Sequence, residues 1–148
     1  MKAVVQRVES VVLCVDGKEI SSISEGLICY LGVAKGDTEE ELLWMVKKVS
    51  GLRIFPDSEG KMNLSAIDLG LSILVVSQFT LLGDIKRGFR PGFSDAEIPE
   101  KANSMYLKFI ELLKLAGIKS VKGGVFGADM TINQINRGPV TIILDSRE

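Results

Sequence analysis

Ser77, Gln78 and Thr80 come at the end of a run, Leu71–Leu82 (LSILVVSQFTLL), that apart from Ser72 is otherwise apolar. Two hydroxyls and an amide around Phe79 could orient water, bind an oxyanion or supply a nucleophile. The run is long, β-branched and apolar on both faces, so it predicts a central buried strand. There, each polar side chain would cost about 1–3 kcal/mol if left unbonded. They must be bonded inside the core or face a cavity, and the pattern alone does not choose. A second constellation is Asn136-Arg137-Gly138-Pro139-Val140-Thr141. Proline has no N–H and is normally kept out of central strands. The segment is either a turn into the last strand or a fixed backbone kink, with a cis peptide as one option, that presents main-chain carbonyls to a ligand. Lys86, Arg87 and Arg90 form the densest basic cluster, readable as solvated loop charge or as phosphate contacts.

Other chemistries are excluded or unsupported. With no His in the chain, a Ser–His–Asp triad, a Cys–His pair and a His-ligated zinc cannot form within it. Glu39, Glu40 and Glu41 sit at a predicted helix start, where they favour its positive end. Asp57, Glu59 and Asp129 are scattered through turns with no metal-cage spacing. VKGGVFG (Val121–Gly127) lacks the Lys-Ser/Thr of a phosphate loop and reads as a turn. Cys14 and Cys29, in apolar runs without CxxC spacing, read as small buried hydrophobes. No metal and no cofactor are expected. The 18 Lys+Arg and 19 Asp+Glu give a net charge of −1, which excludes a uniformly basic polyanion binder but not a local basic patch. Gln6 and Arg7 come too early for a signal-peptide core, and no apolar run approaches the ~20 residues that span a bilayer. A soluble, cytoplasmic protein without membrane contact is expected.

The elements that must position these residues are legible in outline. At 148 residues, 46% of them hydrophobic, the chain fits one domain with a sizeable core. Ala3–Val15 predicts a strand with a bulge near Glu9 and Ser10, Asp16-Gly17 a hairpin turn, and Gly26–Ala34 another strand. A helix follows, capped by Thr38, with Leu42, Met45, Val46 and Val49 as its apolar face and Gly51 as its stop. Arg53–Phe55 predicts a short strand, and Gly83–Asp95 a polar loop. Pro99 opens a second helix whose buried stripe is Ala102, Tyr106, Phe109, Leu113 and Ala116, with Gly117 ending it. Val121–Phe126, Met130–Asn136 and Val140–Asp145 predict strands. The expected fold is α/β, a single compact domain of strand-rich layers with two helices packed on the sheet.

SQFTL (Ser77–Leu81) together with NRGPVT (Asn136–Thr141) resembles the paired signature of the D-aminoacyl-tRNA deacylases. The likeness runs nearly end to end, through VQRV (Val5–Val8), YLGV (Tyr30–Val33), RIFPDSEGKMNLS (Arg53–Ser65), RGFRPGF (Arg87–Phe93) and FGADM (Phe126–Met130). Gly92 stands where the family often carries Ser. The resemblance implies a homodimer that cleaves the ester between a D-amino acid, often also glycine, and the terminal adenosine of tRNA, a proofreading of translation. Each Gly-Pro pair, with a cis bond, would reach into the partner's site. There the main-chain carbonyls of Gly138 and Pro139 would hold the substrate ammonium and leave no room for an L side chain. Ser77, Gln78, Phe79 and Thr80 would line the facing pocket, Met130 and Phe126 would border it, and Arg7 would support the Gly-Pro loop. Lys86, Arg87 and Arg90 would contact tRNA.

The implied reaction suits a chain without histidine. An aminoacyl ester is already activated, so positioning water and stabilising the oxyanion can suffice. Thr80 could act as nucleophile or orient water; alternatively the tRNA's own ribose hydroxyl assists while backbone N–H groups near Phe79 and Thr80 bind the oxyanion, and the second route is favoured. Two readings of other classes compete. One is a non-catalytic nucleic-acid-binding module using the Lys86, Arg87 and Arg90 loop. The other is a ligand-binding or scaffold protein that keeps the pocket without the reaction.

Overall fold

The structure is a computed structural model that describes residues 1–148. β1 (Lys2–Val15) turns through Asp16-Gly17 into β2 (Lys18–Ile23), and β3 (Gly26–Gly32) follows. Asp16 and Gly17 have φ of 51° and 75°, the paired left-handed conformations that a tight hairpin turn requires. α1 (Glu39–Ser50) opens with a capping box. The Thr38 hydroxyl accepts from the Glu40 N–H, and the Glu41 carboxylate accepts from the Thr38 N–H at 2.7 Å. The Thr38 hydroxyl and N–H hold the Glu41 carboxyl down to about 2. β4 (Phe55–Pro56) and β5 (Met62–Leu64) form a small hairpin, and then come β6 (Ser72–Ser77), α2 (Pro99–Leu115), β7 (Ser120–Gly123) and β8 (Met130–Asp145).

β1 is the spine of a six-stranded sheet. β8 runs antiparallel along one side of it; on its other side β3 pairs with Lys2–Val8 and β2 with Val11–Val15. β6 is parallel to β3 and β7 parallel to β6. Alternate residues feed two cores, as strand periodicity dictates. Leu27, Cys29 and Leu31 of β3 and Ile73 and Val75 of β6 pack with both helices, while Ile28, Leu74 and Val76 join a second cluster on the opposite face. The expected bulge accounts for a change of side within β1. Register slips between Val8 and Ser10, and a one-residue slip inverts the faces that follow. Ala3 and Val5 therefore face the helices, whereas Val11 and Leu13, of the same parity, belong to the second cluster.

Several expected boundaries move. The strand predicted over Leu71–Leu82 ends at Ser77, and Phe79–Leu82 is a 3-10 turn. Apolarity alone cannot separate these, because Leu82 is as buried in the turn as it would be in a strand. Val121–Phe126 shortens to Ser120–Gly123, and the last bond to β6 runs from the Gly124 N–H to the Val75 carbonyl before the chain turns away. The two predicted C-terminal strands are one element that carries the Gly-Pro pair within it. Arg53–Phe55 shifts to Phe55–Pro56. Ala116 is exposed beyond the last turn of α2, and Ile118 is buried in its stead. Cys29 is buried as expected, but Cys14 is only half-buried.

Candidate active site

The 3-10 turn stands at the carboxyl end of β6 because β3 leaves room for it. A Cβ on Gly32 would lie 2.5 Å from Leu82 Cδ2 and 3.0 Å from the Gln78 carbonyl oxygen. The Gln78 N–H donates to the Leu31 carbonyl at 2.8 Å, which ties the turn to β3. Its first internal bond runs from the Leu81 N–H to the Gln78 carbonyl at 3.3 Å. The N–H groups of Phe79 and Thr80 precede that bond and have no acceptor inside the turn. The Gln78 amide donates to the Thr80 hydroxyl. Ser77 and Gln78 are half-buried, while Phe79 and Thr80 are exposed.

Ser77, Gln78 and Phe79 line a cavity of about 480 Å³ together with Phe126 and Met130, whereas Thr80, expected beside them, is exposed on the turn and not on the wall. Thus the polar strand end faces a cavity rather than being consumed by the core. The rest of the wall is largely apolar and comes from elements that the sequence did not single out for chemistry: Val33, Ala96, Pro99 and Ala102 on one side, Gly127, Ala128 and Ile132 on the other. Val33, Gly127 and Ala128 fall within the YLGV and FGADM stretches, and Pro99, Ala102 and Ile132 on predicted elements, but none of them signalled a cavity wall; Ala96 carried no sequence signal at all. Glu97 is the only carboxylate on the wall. A hydrogen bond from Lys101, then one from the Ile98 N–H, lowers its pKa below the ordinary carboxylate range, so it is anionic at neutral pH.

The far wall is held by a tyrosine. The Tyr106 hydroxyl donates to the Val75 carbonyl at 3.0 Å and accepts from the Gly124 N–H at 3.1 Å, and its ring lies 6.2 Å from that of Phe126. Burial pushes the phenol up to about 12, so it remains a donor at neutral pH. The VKGGVFG segment is a turn, as expected, and its glycines are steric necessities. A Cβ on Gly123 would fall 2.7 Å from the Tyr106 oxygen, and one on Gly124 would fall 2.6 Å from Met130 Sδ.

Gly138 and Pro139 are not brought to this cavity. The Gly138–Pro139 bond is cis, Gly138 has a φ of 131°, and both residues are exposed on β8. Between the pairs Gln6↔Thr141 and Val8↔Asn136, the single residue Arg7 faces the four residues Arg137–Val140, so the Gly-Pro segment bows out of the ladder. Arg7 sits under the bow: its Nε donates to the Arg137 carbonyl at 3.1 Å and its Nη1 to the Ile54 carbonyl at 2.7 Å. A Cβ on Gly138 would stand 3.0 Å from Arg7 Nη2 and 2.9 Å from Val140 Cγ2. Lys86, Arg87 and Arg90 lie on the exposed loop after the 3-10 turn, and none has an ion-pair partner. No group of three or more Cys, Asp or Glu side chains is placed to hold a metal ion, and no helix is long and apolar enough to cross a membrane.

The sequence and the fold are similar to those of known proteins. The family model described as D-Tyr-tRNA(Tyr) deacylase matches residues 4–145. A D-aminoacyl-tRNA deacylase of Thermotoga petrophila is 51% identical over 99% of this chain and 97% of its own length. One from Aquifex aeolicus is 51% identical over 100% of this chain and 99% of its own. Among solved structures, one titled c-Myc DNA Unwinding Element Binding Protein superposes with a TM-score of 0.93 at 42% identity, covering 98% of each chain. A probable eukaryotic D-amino acid tRNA deacylase shares the fold at a TM-score of 0.83 and 18% identity over 97% of each chain. The chain belongs to the D-Tyr-tRNA(Tyr) deacylase family.

Proposed function

We propose that the chain hydrolyses the ester between a D-amino acid, glycine included, and the terminal adenosine of tRNA. The observation that carries this reading is the polar end of β6 opening into a largely apolar cavity, in a chain half-identical to named D-aminoacyl-tRNA deacylases along its whole length. The cavity's apolar walls suit a nucleoside base, and Phe126 and Met130 offer a ring face and a polarisable thioether to it. The unpartnered N–H groups of Phe79 and Thr80 suit the developing oxyanion. Attack is by water positioned with help from the substrate's ribose hydroxyl; the Thr80 hydroxyl, already bonded by the Gln78 amide, has no base beside it to make it a nucleophile.

The chiral step is assigned to Gly138 and Pro139 acting across a homodimer. Their exposure on β8, away from their own chain's cavity, supports a role in a partner's site. A main-chain carbonyl reads an ammonium group whatever the side chain, so many D-amino acids are accepted, while L forms are rejected by contact. Arg7 is the positioning residue for that segment. Lys86, Arg87 and Arg90 contact tRNA phosphates. The test is hydrolysis of D-tyrosyl-tRNA beside L-tyrosyl-tRNA, with a Pro139→Ala control. Release from the D form alone, lost in the control, is the expected result. Equal release from both forms, or full activity in a folded control, refutes the chiral assignment.

A second reading is favoured by one relative's title, which names DNA binding in a structure 42% identical to this chain. On that reading the unpaired basic loop binds nucleic acid with a steep salt slope, and no ester is turned over.

A further inference from the structure

The loop that follows the 3-10 turn carries an aromatic side chain in full solvent. Phe89 is completely exposed, and Ile85 beside it is largely so. The base of the loop is fixed: Asp84 and Gly92 exchange two backbone hydrogen bonds, N–H to carbonyl, at 2.8 and 2.9 Å. Phe93 packs edge-on against Phe79 with ring centroids 5.0 Å apart, which couples that base to the mouth of the cavity. At the tip, Ile85–Pro91 contains Lys86, Arg87 and Arg90 and no acidic residue. None of the three cations is spent on an ion pair within the chain.

An exposed ring flanked by unpaired cations fits a partner that offers flat π faces and negative charge together, as single-stranded nucleic acid does. A second copy of this chain fits poorly, because two such tips meeting would bring like charges together. We infer that this tip docks the single-stranded 3′ end of the tRNA, with Phe89 stacking on a base preceding the terminal adenosine and Lys86, Arg87 and Arg90 facing its phosphates. The inference rests on the deacylase reading for the place of the terminal adenosine: a strand whose last nucleoside occupies the cavity leaves past Phe79, and the loop is tied to Phe79. Sequence-tolerant stacking would let one enzyme serve many tRNAs, since the 3′ end is common to them.

The experiment compares affinity for uncharged tRNA with affinity for the same tRNA stripped of its 3′ CCA. Phe89→Ala weakens binding of intact tRNA about tenfold, the range of one lost base–aromatic stack, and leaves the stripped tRNA bound as before. Phe89→Trp restores it. Removing each of Lys86, Arg87 and Arg90 lowers the slope of log affinity against log salt by about 1. Unchanged affinity in Phe89→Ala, or an equal loss on both tRNAs, overturns the inference. So does a loss that accompanies a change of oligomeric state in sedimentation, which would assign the ring to a second copy. Turnover of 3′-O-(D-tyrosyl)adenosine by the unaltered chain tests the deacylase reading separately, and the affinity comparison stands whichever way that falls.

Discussion

Tyr106→Phe separates the hydroxyl that holds the cavity wall from the ring that fills the core. The ring is buried between α2 and β6, so keeping it leaves packing intact and opens no void larger than an oxygen. Two hydrogen bonds are lost, to the Val75 carbonyl and from the Gly124 N–H. Neither backbone group is orphaned, because the Gly124 N–H also donates to the Val75 carbonyl at 3.2 Å. The loss is therefore that of made hydrogen bonds, about 0.5–1.5 kcal/mol each, without the larger penalty of a stranded polar group. A total of about 1–3 kcal/mol corresponds to a fall in Tm of about 2–12 °C for a domain of this size. The functional effect should exceed what stability explains. The Gly123-Gly124 turn carries the chain to Phe126 and Met130, so loosening it should raise KM for D-tyrosyl-tRNA about three- to tenfold, while kcat, on the proposed assignment of the oxyanion to the 3-10 turn, should change less than twofold. Thermal unfolding and steady-state hydrolysis well below the new Tm make the test. An unchanged Tm and KM would show that the tyrosine hydroxyl does not hold the wall, and a fall in kcat alone would place its influence at the 3-10 turn instead.

Gly32→Ala forces a methyl group against Leu82 and the Gln78 carbonyl. The chain should stay folded with a loss of about 1–3 kcal/mol, and kcat/KM for D-tyrosyl-tRNA should drop about 10- to 100-fold as the turn shifts; wild-type kinetics would refute the close-approach account. Asp37→Ala removes a buried carboxylate that accepts from the Ala34 N–H, the Met1 α-ammonium and Arg147. A buried cation left unpaired costs about 3–5 kcal/mol, so denaturant unfolding should show a destabilisation of that order, and one under about 1 kcal/mol would mean that water replaces the carboxylate. Stability should also fall as pH rises. Burial pushes Cys29 from 9.0 to about 12 and Tyr106 from 10.0 to about 12. Between those values the unfolded chain has released protons that the folded chain keeps, so stability is full below about pH 9 and declines towards pH 12. Urea midpoints across that window should show the decline, with Cys29→Ala delaying its onset; a flat profile would contradict the burial argument.

Legibility in the sequence followed how local the physics was. α1 could be placed because its signals act within a turn of the helix: Thr38 and Glu41 cap each other three residues apart, and Gly51 ends the helix. The hairpin at Asp16-Gly17 and the bulge at Glu9–Ser10 were likewise local, one set by φ preference and the other by broken alternation. The end of β6 was not. LSILVVSQFTLL is apolar in strand and turn alike, and what stops the ladder after Ser77 is Gly32, some 45 residues earlier, whose missing Cβ admits the turn. The far wall was hidden for the same reason. Gly123-Gly124 is an ordinary turn signal until the Tyr106 hydroxyl and Met130 sulfur are seen to occupy the space that side chains would need.

The two signatures also sit differently on the fold. Ser77, Gln78 and Phe79 of SQFTL build one side of a cavity that this chain closes with its own α2 and β8. NRGPVT lies on edge strand β8: Val140 joins the core, but Gly138 and Pro139 are exposed, bowed outward opposite Arg7 and away from that cavity. An arginine that spends two hydrogen bonds on the Arg137 and Ile54 carbonyls fixes an exposed segment in one shape before any partner arrives. Such rigidity contributes little to a lone domain, but it lowers the ordering cost of an interface. The proposal of a shared site therefore rests on Arg7 as much as on the Gly-Pro pair, because an exposed bow that is held rigid needs little further ordering to be bound.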